Sequence, residues 1–271
     1  MSLRDYLFHE EPGITLYCGD CRDVMPLLRC PNTSYCIEAC DGRCAGVDFI
    51  FTDPPYGHNN NDGDLIHNRE KALGRPRSAA RGGAARPIAQ DSPEEVATLI
   101  QWVFTQFNEL LAEGGCCCCC CGGGGGPDPQ FARWSLWLDE AVGFKHMVIW
   151  DKGPMGMGWH YRRSYETVLV GEKKGGKCRW YDETNKVENV IRNIAKIIPA
   201  ADQHPTEKPV ALAAHFIMLH SLPGHLVLDP FAGTGSTLLA AKNLGRRAIG
   251  IEIEPKYCEI AVKRLRQEVL L

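Results

Sequence analysis

Val47-Asp48-Phe49-Ile50-Phe51-Thr52-Asp53-Pro54-Pro55-Tyr56 is the stretch that decides the fold. Its first six residues are nearly all apolar or β-branched, the composition of a strand buried on both faces. A carboxylate, two stiff imides and an aromatic ring follow at the strand end. Far downstream the pattern recurs, as Leu226-Val227-Leu228 runs into Asp229-Pro230-Phe231-Ala232-Gly233-Thr234-Gly235. In open α/β sheets, ligands bind beyond the carboxyl ends of the strands, where the strand order reverses. Two polar motifs at two such ends predict a site there if the strands are neighbours.

The surrounding elements support that class. A strand over 14–17 ends at Gly19-Asp20. Ser92-Pro93-Glu94-Glu95 reads as N-cap, N1 proline and early acids, opening a helix that runs to about Leu111. Leu110 to Gly115 reads as that helix's end, with glycine caps. A helix over 131–142, strands over 145–150 and 166–171, and an irregular stretch over 172–203 come next. A helix from Pro209 to near Ser221 leads to a strand over 225–229 and the glycine loop. The chain closes with a helix over 236–244, a strand over 248–251 and a helix from Pro255 to about Glu268. Strands alternating with helices predict an α/β fold with a doubly wound, mostly parallel sheet.

The composition fits one large α/β domain with insertions: 271 residues, 44% of them hydrophobic. No apolar run is long enough to span a membrane. The N-terminus lacks a signal pattern, which makes the cytoplasm the expected location. The net charge of -3 argues against general coating of nucleic acid. Charge is local, however. Residues 69–86 hold six basic side chains and one acid, and residues 145–179 hold eight against three. Both stretches suit a face that grips phosphates, and both also suit solvated loops.

The 14 cysteines, without a signal pattern, point to reduced thiols or metal. Cys116 to Cys121 are consecutive. Alternation along a strand keeps adjacent thiols from converging on one ion, so the run reads as a buried central strand. Cys30, Cys36, Cys40 and Cys44 match no common zinc spacing, and a structural metal there stays open.

The glycine loop suits a nucleoside better than a pyrophosphate. It lacks the dinucleotide spacing and has no P-loop lysine. Gly233 and Gly235 let a backbone approach a ligand. Glu252, at the end of the next strand, can accept both hydroxyls of a ribose.

Asp53-Pro54-Pro55-Tyr56, Phe231-x-Gly233-x-Gly235 and His204-Pro205-Thr206-Glu207-Lys208-Pro209 together resemble the DNA amino-methyltransferases that use S-adenosylmethionine. The catalytic motif precedes the cofactor loop, as in the permuted beta class. The resemblance spans Gly19-Asp20 to Gly250-Ile251-Glu252, and includes Val148–Lys152 and Tyr165–Thr167. It departs at the Cys30–Cys44 insert, in the cysteine run and in the short 172–203 segment.

The resemblance implies a seven-stranded-type sheet with helices on both faces. Asp53, Pro54, Pro55 and Tyr56 become catalytic residues. Asp20, His204, Thr206, Lys208, Asp229, Phe231, Gly233, Gly235 and Glu252 become contacts to S-adenosylmethionine, within a cofactor-binding part over 204–271. Residues 57–92 form a mobile basic loop, and 172–203 a short target-recognition segment. Arg69, Lys71, Arg75, Arg77, Arg81, Arg86, Trp159, His160, Arg162 and Arg163 become the residues expected to contact DNA; a packed turn is the other reading around Trp159. No catalytic metal is expected. Double-stranded DNA is the expected partner, with a second copy of the chain and a restriction endonuclease as further candidates.

An exocyclic amine conjugated to its ring is a poor nucleophile. The Asp53 carboxylate and the Pro54 carbonyl can accept its N–H bonds and expose the lone pair. Tyr56 can stack on a base extracted from the duplex. Asp as the first residue of the tetrapeptide favours adenine N6, with cytosine N4 as the alternative. An inactive nucleic-acid-binding relative and an RNA or protein-amide methyltransferase are the other classes weighed.

Overall fold

The computed structural model describes residues 1–29, 46–57, 89–121, 130–153, 164–197 and 207–267. Of the sequence expectations, those on Cys30–Cys44, Arg69–Arg86, Trp159–Arg163, His204 and Thr206 fall outside the described residues.

Nine strands form one sheet among the described residues: β1 (Leu7–Glu11), β2 (Ile14–Cys18), β3 (Val47–Thr52), β4 (Leu111–Cys121), β5 (Phe144–Asp151), β6 (Tyr165–Glu172), β7 (Val190–Ile191), β8 (Leu226–Asp229) and β9 (Arg247–Glu252). Their order is β1-β2-β9-β8-β3-β4-β6-β5-β7. The central run β2-β9-β8-β3-β4 is parallel throughout. β6 is antiparallel to both its neighbours, and β1 closes a hairpin on β2. The mostly parallel, doubly wound sheet is thus present, with the β1 hairpin and two-residue β7 added at its edges.

Helices cover both faces, and the alternation of side chains assigns each residue to one of them. Along β4, Cys117, Cys119 and Cys121 join the core under the Pro93–Leu110 and Gln130–Ala141 helices. Cys116, Cys118 and Cys120 join the core under the Val210–His220, Ser236–Asn243 and Pro255–Arg266 helices. All six are buried free thiols. Burial pushes Cys117 and Cys121 up to about 12, so they serve as small apolar side chains.

The helix start at Pro93 forms as expected. Ser92 Oγ accepts from Glu95 N–H at 3.3 Å, and Glu95 Oε2 accepts from Ser92 N–H at 3.3 Å. The helix end corrects an expectation. The helix stops at Leu110 and β4 begins at once, so Gly114 and Gly115 lie inside the strand and are not caps. Between the pairs Val47–Leu111 and Phe49–Cys116, β4 carries extra residues that bulge from the ladder. Gly114 takes φ +73 there, and the 173–179 segment holds the bulge through Lys173 N–H to Gly115 O and Arg179 N–H to Gly114 O.

Chain path sets the site. β3 leads through the Pro93–Leu110 helix to β4 on one side, and β8 leads through the Ser236–Asn243 helix to β9 on the other. The order therefore reverses between β3 and β8, which are neighbours in register through Phe49–Val227 and Ile50–Leu228.

Candidate active site

One cavity opens beyond the carboxyl ends of β3, β8 and β9. Asp53 to Tyr56 form one wall; Asp229 to Thr234, with Glu252, form another; Gly19-Asp20, Gln90 and Lys208 close it. The two motifs, far apart in sequence, thus face the same space.

On the β3 side, Asp53 is gripped by side chains. Tyr56 Oη donates to Oδ1 at 2.7 Å and Lys208 Nζ donates to Oδ2 at 2.7 Å. Lys208, only 7% exposed, also lies 3.2 Å from Glu166 Oε2 and 5.0 Å from the centroid of the Tyr56 ring. Lys152 Nζ completes the cluster, 2.8 Å from Glu166 Oε1. Two acids and two ammonium groups balance in formal charge, which makes burial of all four tolerable. Burial raises the Asp53 carboxyl above its ordinary value, with the Lys208 charge opposing it. Burial also acts to raise Glu166, but Lys208 and Lys152 outweigh it and bring that carboxyl down to about 2. Burial disfavours the Lys208 ammonium, yet Asp53 and Glu166 hold its pKa above the ordinary value. Tyr56 is set by its edge contact with Trp134, 6.3 Å between centroids, and by Gln130 Nε2 donating to its carbonyl.

On the β8–β9 side, backbone amides and threonine hydroxyls do the holding. Asp229 Oδ1 accepts from Thr52 Oγ1 at 2.8 Å and from Phe231 N–H at 3.0 Å. Burial pushes the Asp229 carboxyl up to about 6, the Thr237 and Thr52 hydroxyls opposing. Glu252 Oε2 accepts from Gly233 N–H at 2.8 Å and Oε1 from Glu254 N–H at 2.9 Å. Burial pushes this carboxyl up to about 7. Each Glu252 oxygen keeps a second lone pair for an outside donor.

The two loop glycines differ. Gly233 lies in the cavity wall at φ +52, and a Cβ there would meet nothing within 4 Å. The left-handed turn thus favours glycine and leaves room beside it. Gly235, expected to let a ligand approach, also packs closely against the protein itself. At φ +80 its missing Cβ would sit 2.9 Å from Ala261 Cβ, so it brings the loop against the Pro255–Arg266 helix.

Asp20 caps the Cys21–Val24 helix, accepting from Arg22 N–H at 2.8 Å and from Gln90 Nε2 at 2.8 Å. Lys208, expected as a cofactor contact, lines the cavity and lies against Asp53. Residues that the sequence reading did not place at the site are Glu166, Lys152, Gln90 and Glu207, the last paired with Arg264 at 2.9 Å. The available signal was a charge at each border of an apolar strand, Lys152 after Trp150 and Glu166 before Val168.

The wider likenesses agree with this geometry. The chain is 34% identical over 145 residues to the Type II methyltransferase M2.DpnII of Streptococcus pneumoniae, a match covering 48% of this chain and 54% of that protein. A second relative, the Type II methyltransferase M2.LlaDCHI of Lactococcus lactis subsp. cremoris, is 32% identical over 144 residues, covering 47% and 54%. The chain thus spans about half the length of the curated relatives it matches. Among solved structures, the M1.HpyAVI–SAM complex superposes with a TM-score of 0.64 at 26% identity, covering 94% of this chain and all of that one. The cytosine-N4-specific PvuII DNA methyltransferase shares the fold alone, with a TM-score of 0.66 at 16% identity over 96% of this chain and 88% of that one. The family model described as DNA methylase, N6_N4_Mtase, matches residues 47–263, from the first residue of β3 almost to the end of the last helix. With the Asp53 motif and the Asp229 loop both inside that span and open to one cavity, this chain belongs to the N6_N4_Mtase family of DNA methylases.

Proposed function

We propose that this chain transfers a methyl group from S-adenosylmethionine to N6 of an adenine extracted from a specific sequence of double-stranded DNA. The shared cavity carries the proposal, because donor and acceptor of a methyl group must meet in line. The residues present fit the cofactor. Glu252 offers two acceptor sites at a strand end, matched to the two hydroxyls of a ribose. Gly233 leaves open space beside it, and Phe231 and Asp229 line the same wall. When bound, S-adenosylmethionine supplies the electrophilic methyl of its sulfonium.

The chain's own residues prepare the amine. Asp53, held by Tyr56 and Lys208, has one acceptor site left on each oxygen for an amine N–H. Pro54 contributes its carbonyl as a second acceptor and has no N–H to compete. Together they draw the nitrogen toward a tetrahedral shape and free its lone pair. Tyr56 stacks on the base. Lys208 is a positioning residue that sets the angle of the carboxylate. Asp in the first place of the tetrapeptide supports adenine. Residues 57–92 and the Trp159–Arg163 region are assigned to phosphates and neighbouring bases, and 172–203 to target recognition. The Type II names of the relatives support a modification role beside a restriction endonuclease in the cytoplasm; a homodimer completes the reading.

Incubation with tritiated cofactor and unmethylated DNA, followed by nucleoside analysis, tests it. Label in N6-methyladenine is expected. Label in N4-methylcytosine would replace the base assignment, and DNA without label would sink the activity.

A further inference from the structure

At the other end of the Val210–His220 helix from Lys208, roughly 16 Å away at 1.5 Å per residue, three soft ligands converge. Cys116 comes from β4, Cys178 from the segment after β6, and His220 from the last turn of the helix. Their ligand atoms all lie within 4.8 Å of one another. Cys116 and His220 are buried and Cys178 is half-buried, which leaves a way in from solvent.

The spacing is informative. Cys178 Sγ lies 3.4 Å from His220 Nδ1, and the Arg179 carbonyl oxygen lies 3.4 Å from each of them. A nitrogen 3.4 Å from a carbonyl oxygen is beyond the usual hydrogen-bond range of roughly 2.7–3.2 Å. Tetrahedral zinc with Zn–S near 2.3 Å and Zn–N near 2.0–2.1 Å places its sulfur and nitrogen ligands about 3.5 Å apart. The imidazole is fixed by stacking on Phe49, 5.2 Å between centroids, and by the edge of Trp180 at 5.3 Å. The β4 bulge, bonded to Lys173 and Arg179, draws the 173–179 segment onto the sheet and so brings Cys178 to Cys116.

We propose that Cys116, Cys178 and His220, with the Arg179 carbonyl, form a binding site for a zinc-like divalent cation that fastens the 173–181 segment to the sheet. Binding replaces the thiol protons with the cation and leaves both sulfurs as thiolates. The site is separate from the Asp53 cavity and stands apart from the methyl-transfer reading.

Cobalt(II) is the probe. The full chain, reduced and stripped with a chelator, is titrated with cobalt under anaerobic conditions. One equivalent should bind with a near-ultraviolet thiolate-to-cobalt band and the intense visible bands of tetrahedral coordination. Cys178→Ser, at a half-buried position, keeps the Cys116 thiolate, so the thiolate band per bound cobalt should fall to about half and cobalt should bind at least about tenfold more weakly, since changes even beyond the ligands cost about 10–100-fold. A variant with Cys30, Cys36, Cys40 and Cys44 all changed to serine should keep the band. At the same concentration, zinc should raise the melting temperature of the parent more than that of Cys178→Ser. A band that keeps its full intensity and affinity in Cys178→Ser, vanishes in the fourfold serine variant or never forms overturns the proposal.

Discussion

β3 and β8 lie side by side, run in the same direction, and both end in Asp-Pro. Their aspartates nevertheless live in different ways. Asp229 is bonded to the Phe231 amide and to the Thr52 hydroxyl, groups that come with the fold. Asp53 is bonded to the ends of two long side chains, Tyr56 and Lys208. One carboxyl ties a loop to its strand. The other is presented to the cavity by groups that can adjust when something enters. The same residue pair at the same kind of strand end is thus held by the fold in one case and by long side chains in the other, and on the proposed reading only the second does chemistry.

The same substitution at both positions tests this contrast. Asp53→Asn should lower methyl transfer by roughly 10²–10⁴-fold, the usual range for a group that handles a proton on the reacting atom. Cofactor affinity by calorimetry should hold. Turnover near that of the parent would erase the distinction between the two aspartates.

Lys208→Met comes next in size. It leaves Glu166 with Lys152 and Asp53 with Tyr56 alone, and removing one member of a buried charge cluster costs roughly 3–5 kcal/mol. Denaturant unfolding should show the loss. An unchanged midpoint would mean that the cluster adds little to the fold.

Asp229→Asn should act in the opposite sense and more weakly. The asparagine oxygen can keep both the Phe231 and Thr52 bonds. The carboxyl it replaces has its native pKa raised from 3.8 to about 6. A carboxyl raised in the folded state binds more protons there than in the unfolded chain, so stability falls as pH rises from 3.8 through about 6. The loss is complete above that window and is on the order of 2–3 kcal/mol. Asp229→Asn should remove this contribution and unfold at higher denaturant than the parent at pH 8. A variant less stable than the parent there would show that ionised Asp229 supports the loop.

Much of this arrangement was legible in the residues. The apolar run of β3, the capping box at Ser92 and Glu95, and the Asp229 glycine loop are local signals, and each produced the element expected. The failures came where one local pattern serves two structures. Gly114 has a positive φ that suits a helix cap and a bulge equally, and only the ladder with β3 decides between them. Lys152 and Glu166 read as charges at the ends of strands until Lys208, from another part of the chain, lies between the acids. The β1 hairpin escaped because Leu7–Glu11 carries little apolar pattern and leans on β2 for its order. Gly235 shows a quieter case, since what its missing Cβ makes room for is Ala261 of the last helix, a contact no local pattern announces.

The strand order also sets a schedule for the growing chain. β2 pairs with β9, Ile14 opposite Ala248, so β2 waits for a strand made long after it. At 5–20 residues per second the wait is roughly 10–50 s. β3 can zip onto β4 well before that, but its other edge stays bare until β8 emerges. Such distant pairings carry a high contact order and slow the final closure. The half of the cavity that holds Glu252 is therefore completed only after β9 has emerged, and a nascent chain without β9 lacks that wall.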